Sequence, residues 1–439
     1  MKPSVALSTP AIAIALTLLP RAALAQRDPE EKKENVADRA WVAKKKRGLE
    51  VDRAVLPLVG GSTDYGIAIG AMGSIAWIDP DKPPYIHRIE GNAITSFGAP
   101  AGDAFQIPYQ DYYLKGTHRH WPIEASRLTW RAGYTRASTL QYSGIGNASG
   151  YDRSWENIDP DKNPEAFKQA KHQYNFDRKS PGAAIEIRFD LPKSFFYEES
   201  ISFTHNSIYT DPNSKLAQDR ASTDPRIRQE VDGPLTHGVV LFTQAVGIDT
   251  RNAEIATTKG MLHRVSLRVS PGAGSYLAYR YAAVDASFRG YVPLFDERIV
   301  LAGRLVFDAI WGDAPFYELA RYEAGWAIGG SSGVRGVPAQ RYFGKVKVFG
   351  NTEARIHLFR FGLFKQKMRF GVATFFDAGR VFSDFTPKRD LDGSGIGLKY
   401  GAGGGLRLAA GKSFEARADV AYSPDANPVS VYVSAGQAF

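Results

Sequence analysis

Apolar and polar side chains alternate with a period of two over much of this chain. In 414–422, Phe414, Ala416, Ala418, Val420 and Tyr422 share one face, and Glu415, Arg417 and Asp419 share the other. In 344–358, Val346, Val348, Ala354, Ile356 and Leu358 oppose Lys345, Lys347, Glu353, Arg355 and His357. In 368–378, Phe370, Val372 and Phe376 oppose Arg369 and Asp377. Successive side chains of a strand point to opposite faces, so this period predicts β-strands. A strand whose second face carries several charges does not fit the core of a sandwich. It fits a sheet with oil on one side and water on the other.

Segments of this kind predict strands at 54–60, 66–78, 85–97, 104–116, 124–136, 181–190, 199–210, 236–249, 260–270, 279–292, 297–311, 344–359, 368–383, 395–409, 413–422 and 429–439. The fold class expected is all-β: a single-domain, transmembrane, antiparallel β-barrel of about 16 strands. If the first strand rises from the periplasm, the short turns Asp79–Pro84, Pro293–Asp296 and Ala410–Lys412 share the periplasmic end. The long connections 137–180, 211–235 and 312–343 then share the external end, the usual asymmetry of such barrels.

Composition agrees with this. The chain has 43 Gly, 21 Tyr, 25 Phe and 7 Trp against 4 Met, which suits short strands, tight turns and aromatic girdles. Cysteine is absent, so a disulfide framework and a thiolate metal site are both excluded. The formal charge of +9 comes without a nucleic-acid motif, so no nucleic-acid partner is expected, and dispersed solvated charge is the simpler reading.

The start of the chain sets the compartment. Lys2 precedes the apolar run Ala11–Leu19, and Ala23-Leu24-Ala25 is a small-x-small cleavage site before Gln26. Residues 1–25 are read as a secretory signal peptide, followed by a charged periplasmic segment over 26–53 and the barrel over 54–439. Residues 29–47 form either one interfacial helix, with Val36, Ala40 and Ala43 along one side, or a charged tail. The segment is too short for a separate folded periplasmic domain.

Four ordered motifs resemble the BamA/TamA superfamily of outer-membrane barrels, also called the outer-membrane protein 85 or bacterial surface antigen family. Gly329-Gly330-Ser331-Ser332-Gly333-Val334-Arg335-Gly336-Val337 resembles the Val-Arg-Gly-aromatic tip of the family's long sixth external loop, with Val337 where an aromatic is usual. Asn351-Thr352-Glu353-Ala354-Arg355 resembles the strand-twelve pattern. Phe375-Phe376-Asp377-Ala378-Gly379-Arg380-Val381-Phe382 resembles the strand-thirteen pattern. Asp249-Thr250-Arg251-Asn252 with Thr258-Lys259-Gly260 resembles the mid-barrel turn. The resemblance covers essentially 52–439.

The resemblance implies that the sixth loop folds back into the lumen and that Arg335 pairs there with Glu353 and Asp377. The alternation independently places both acids on the lumenal face of adjacent strands, where two close carboxylates need a cation. It also implies assistance to protein or lipid insertion or translocation through a flexible seam between the first and last strands, by a member without the family's periplasmic POTRA repeats. Pro57 lacks a backbone N–H, and Gly60 packs weakly; with Gly436 and Phe439 on the last strand they mark that seam. A terminal aromatic such as Phe439 resembles the signal read by barrel-assembly machinery, and it also suits an interfacial aromatic belt.

Other chemistry finds little support. Gly329-Gly330-Ser331-Ser332-Gly333 matches G-x-S-x-G, but a nucleophile elbow needs a strand–turn–helix and not a loop between barrel strands. Asp159–Asn163 starts like a calcium loop, but Pro164 stands where that loop needs Gly. His118-Arg119-His120 lacks the further ligands a metal requires. The expectation is therefore a non-enzyme of the bacterial outer membrane without cofactor or metal. Its expected partners are membrane lipid and lipopolysaccharide, the assembly machinery during its own insertion, and a periplasmic protein reached through 26–53. The alternative is a passive transport pore or structural barrel that handles no clients.

Overall fold

The computed structural model describes residues 49–439 apart from 80–84, 99–106, 153, 160, 255, 323–324, 364–365, 411–413, 426–428 and 436–437. The signal peptide and nearly all of the charged segment therefore lie outside the described residues.

The sheet is a closed antiparallel barrel in which every strand pairs with its neighbours in sequence. Its strands are β1 (Glu50–Ser62), β2 (Gly66–Ile78), β3 (His87–Phe97), β4 (Tyr109–Arg119), β5 (Ser126–Gln141), β6 (Asn175–Asp190), β7 (Phe195–Thr210) and β8 (Thr236–Asp249). The second half holds β9 (Gly260–Ser270), β10 (Tyr281–Leu294), β11 (Ile299–Gly312), β12 (Val346–Leu363), β13 (Gln366–Phe382), β14 (Lys399–Ala410), β15 (Phe414–Tyr422) and β16 (Val429–Ala435). All the expected strands are present. Among the described residues no helix is long and apolar enough to cross a membrane.

Many boundaries differ by a few residues, and three of the starts do so for a clear local reason. β1 begins at Glu50 and not at 54, because Glu50–Arg53 pair with Ile75–Ile78 of β2. β4 begins at Tyr109 and not at 104, just after Pro108, which has no N–H to give a ladder. β6 begins at Asn175 and not at 181; Pro181 pairs with Tyr134 of β5, and only its pairing to β7 lapses.

The alternation is read out on the two faces of the wall. Val55, Val59, Ile67, Ile201, Phe203, Leu305, Phe376, Val420 and Val433 are exposed on the outside. Asp285, Asp308, Lys347, Glu353, Asp377 and Asp419 are buried within. An apolar band around the outside matches a lipid surround.

Short turns lie at one end, here the turn end, and long connections at the other, the loop end. Over the loop end, residues 142–174, 211–235, 313–345 and 383–398 interlock. Gly146 N–H donates to Phe343 O at 2.8 Å, and Ala148 N–H to Leu391 O at 2.8 Å. Tyr142, Ile145, Phe176, Phe316, Tyr317 and Phe343 form an apolar core beneath them. From this cap the connection between β11 and β12 turns inward. Val334 and Val337 pack there with Val306, Tyr322, Ile328, Phe349 and Val381. Beside it the lumen keeps a chamber of about 1710 Å³, lined by residues such as Arg131, Glu186, Thr204 and Arg289.

Candidate functional site: the lumenal loop and the seam

The loop tip is closed on itself before it meets the wall. Gly330 N–H donates to Val337 O at 2.9 Å, and Gly329 holds φ +118° with its α-carbon against Pro338, where a Cβ would stand 2.0 Å from the carbonyl oxygen. Only glycine adopts that conformation at no steric cost. The turn aims Arg335 at the inner wall.

Arg335 is completely buried. Its Nε and Nη2 donate to the two oxygens of Asp377 at 2.7 and 2.9 Å, and its backbone N–H donates to Asp377 Oδ2 at 3.1 Å. Its Nη1 donates to Glu353 and also reaches Asp419 Oδ2 at 3.4 Å. The guanidinium carbon lies over Phe375, 3.6 Å from the ring centroid. Burial pulls the Arg335 pKa down, but hydrogen bonding to Asp377 and the charges of Asp377, Glu353 and Asp419 outweigh it and raise the pKa overall. The fork on Asp377 uses the planar geometry that lysine lacks.

The structure thus brings together Arg335, Glu353 and Asp377. Val334 and Gly336 flank the arginine: Val334 is buried in the apolar cluster, and Gly336, at φ +94°, lies against Tyr422 and Ser423. Gly379 leaves the room in which Ile328 of the loop sits; a Cβ there would come within 2.5 Å of Ile328 Cδ1. Gly401 does the same for Arg335, whose carbonyl oxygen would lie 1.8 Å from a Cβ.

Sequence reasoning missed the rest of the cluster. Asp419 joins from β15, and Arg355, Arg407 and Arg417 interleave with the acids: Arg355 Nε to Glu353 at 2.7 Å, Arg407 Nη2 to Glu353 at 3.3 Å and Arg417 Nη1 to Asp419 at 3.2 Å. Alternation had already put Arg355, Arg417 and Asp419 on the lumenal face; what it lacked was the stagger between strands. The carbonyls of Ser331 and Ser332 accept from Arg417 and Arg304, and Asn351 Nδ2 donates to Gly333 O at 2.7 Å. The G-x-S-x-G look-alike is therefore backbone bound to the wall.

Among the described residues the seam is sparsely bonded. β1 meets β16 at Gly61↔Val433 and Ser62↔Tyr432, with Thr63 N–H donating to Val431 O at 3.1 Å just beyond. On its other side β1 pairs with β2 at every one of its 13 residues. Gly60 abuts the seam, where a Cβ would stand 2.7 Å from Val433 O. Pro57 lies deeper, opposite Ala71 of β2. Gly436 lies outside the described residues.

Phe439 corrects the expectation of a seam or belt residue. β16 ends at Ala435, and Phe439 is buried inside the lumen against Tyr291, Val300 and Ala302. The guanidiniums of Arg304 and Arg355 lie 5.0 and 5.3 Å from its ring centroid. An apolar floor with cations over the ring offers more than the rim does, and the strand period cannot reveal that inward turn.

His118 does find a partner: its Nδ1 lies 3.0 Å from Nδ1 of His87, and Trp130 Nε1–H donates to its Nε2 at 3.2 Å. Among the described residues no group of three or more His, Cys, Asp or Glu is disposed to hold a metal. Asp159 caps its own turn, accepting from Asp161 N–H at 3.0 Å.

A closed antiparallel barrel with a lumenal loop bolted to its inner wall defines the class of protein. Residues 111–439 match the model of the Omp85 superfamily domain, and the chain belongs to that superfamily. No curated protein matches it. Among solved structures it is similar to BamA from Haemophilus ducreyi lacking POTRA domains 1–3, at 14% identity and a TM-score of 0.54, over 93% of this chain and 78% of that one. It is also similar to CdiB from Escherichia coli, at 11% identity and a TM-score of 0.51, over 89% of this chain and 68% of that one. At such identities the likeness concerns the fold.

Proposed function

We propose that this protein works in the bacterial outer membrane, where it assists insertion or translocation of protein, or of lipid, by opening sideways between β1 and β16. The observation that carries the reading is the seam: two paired positions among the described residues, against an unbroken ladder on the other side of β1. An exposed strand edge can template an incoming strand through backbone hydrogen bonds. Lipid-facing Val59 and Val433 on either side of the seam would let an incoming apolar face pass into the bilayer without crossing water.

On this reading residues 1–25 direct export, the barrel from Glu50 to Phe439 does the work, and the charged segment before it faces the periplasm and recruits a companion that collects clients. The protein acts without covalent chemistry, cofactor or metal. Its surroundings are outer-membrane lipid and lipopolysaccharide, and the assembly machinery inserts it. The test is reconstitution of the full chain into liposomes with an unfolded client barrel. The expected result is faster folding of the client than in empty liposomes; equal rates would reject the role.

A further inference from the structure

The loop tip does more than sit on β12 and β13. Followed from Arg335 to Ala339, it runs across the inner wall toward the seam and bonds to each side of it. Arg335 holds Asp377 on β13, Glu353 on β12 and Asp419 on β15. One residue on, Gly336 N–H donates to Tyr432 Oη at 3.1 Å, and Ser430 Oγ donates to Gly336 O at 3.1 Å; both partners belong to β16. Three residues further, Ala339 N–H donates to Asp64 Oδ1 at 3.2 Å. Asp64 lies in the tight turn joining β1 to β2, next to Thr63, whose N–H completes the seam. A five-residue stretch therefore binds the last strand at one point and the first hairpin at another.

We propose that residues 335–339 are a staple across the seam, with Asp64 as the positioning residue that ties the first hairpin to the loop; the inference rests on the lateral-opening reading above. The argument is one of numbers of bonds. Among the described residues the direct join between β1 and β16 is so short that one further link across it, two bonds to β16 in series with one to Asp64, adds substantially to its hold. The two bonds to the last strand are buried, with Tyr432 and Ser430 almost fully enclosed, and the bond to Asp64 is half-buried, so breaking them leaves polar groups poorly satisfied. Arg335, pinned by a charge-assisted fork, supplies the fixed end against which the staple holds. Separation of β1 from β16 then requires release at Asp64, or at Tyr432 and Ser430 together. Anything that lifts the loop off the wall loosens the seam as a consequence.

The experiment uses the full chain in lipid nanodiscs. Because the native sequence has no cysteine, spin labels at Val59→Cys and Val433→Cys report the distance across the seam by pulsed electron resonance. The staple predicts one short population in the parent. Asp64→Ala and Tyr432→Phe should each raise the separated population at least about fivefold, about 1 kcal/mol by the usual relation between ratio and free energy. Asp64→Asn, which keeps an acceptor oxygen, should restore the short population. Adding Arg335→Ala to Asp64→Ala should give less than the product of the single effects, because both act through one loop. Heat-modified migration on gels identifies variants that fail to fold. Unchanged distances in folded Asp64→Ala and Tyr432→Phe would overturn the staple. Loosened distances with unchanged client folding would keep the staple and remove the proposed function instead.

Discussion

Arg335 and Asp377 form a two-pronged pair inside the barrel, Nε to Oδ2 at 2.7 Å and Nη2 to Oδ1 at 2.9 Å, both residues fully buried. Removing one partner of such a pair leaves the other as an uncompensated buried charge. Arg335→Ala should lower barrel stability by about 3 kcal/mol. Arg335→Lys should recover less than half of that, because an ammonium cannot reproduce the fork. Temperature-dependent gel migration of the folded barrel measures both.

Gly401 tests the same docking from the other side. A Cβ at Gly401 would meet the Arg335 carbonyl oxygen at 1.8 Å, a contact that backbone must move to relieve. Gly401→Ala should cost about 1–3 kcal/mol, as overpacking does. It should also expose residues 331–337 to protease, whereas the parent resists cleavage there. Equal protease resistance would show that the loop does not rest on β14.

Much of this was legible in the sequence, and the reasons are local. Every strand of the barrel announced itself because lipid outside and charge inside force a period of two. Glu353 and Asp377 were legible for the same reason, and Arg335 because a glycine-rich tip resembling a known motif stands before them. The inward course of Phe439 was not legible, since it depends on Tyr291, Val300 and Ala302 from strands far off in the chain. Nor was the join of Ala339 to Asp64, which spans 275 residues of sequence and uses a backbone donor that any residue carries.

Asp64 gives a pH dependence with a definite sign. Burial raises its carboxyl pKa from 3.8 to about 6, and the Ala339 N–H opposes only part of that. A carboxyl raised in the folded state binds its proton more tightly there than in the unfolded chain. Its contribution to stability is therefore full below about pH 4 and is lost as pH rises to about 6. Asp64→Asn should remove this slope and stabilise the barrel at neutral pH by up to about 3 kcal/mol. Thermal unfolding of both proteins between pH 4 and 7, with the slopes compared, decides the matter.

Phe439 should matter as a lumenal anchor. Phe439→Ala removes a buried ring from between Arg304 and Arg355 and should cost about 3 kcal/mol, at the lower end for a buried aromatic. Phe439→Leu keeps the apolar contact but not the cation–ring one, and should fall between the two. Unfolding midpoints of the three barrels give the ranking, and a silent Phe439→Ala would contradict the anchoring.

The central claim is that the join between β1 and β16 opens during work. Thr63 and Val431 stand opposite one another where that join ends, Thr63 N–H to Val431 O at 3.1 Å. In a chain without native cysteine, Thr63→Cys with Val431→Cys can be closed by oxidation and reopened by reductant. The account predicts that the oxidised protein loses its acceleration of client folding in liposomes and that reduction restores it. An oxidised, fully cross-linked protein that folds clients as fast as its reduced form would contradict lateral opening outright.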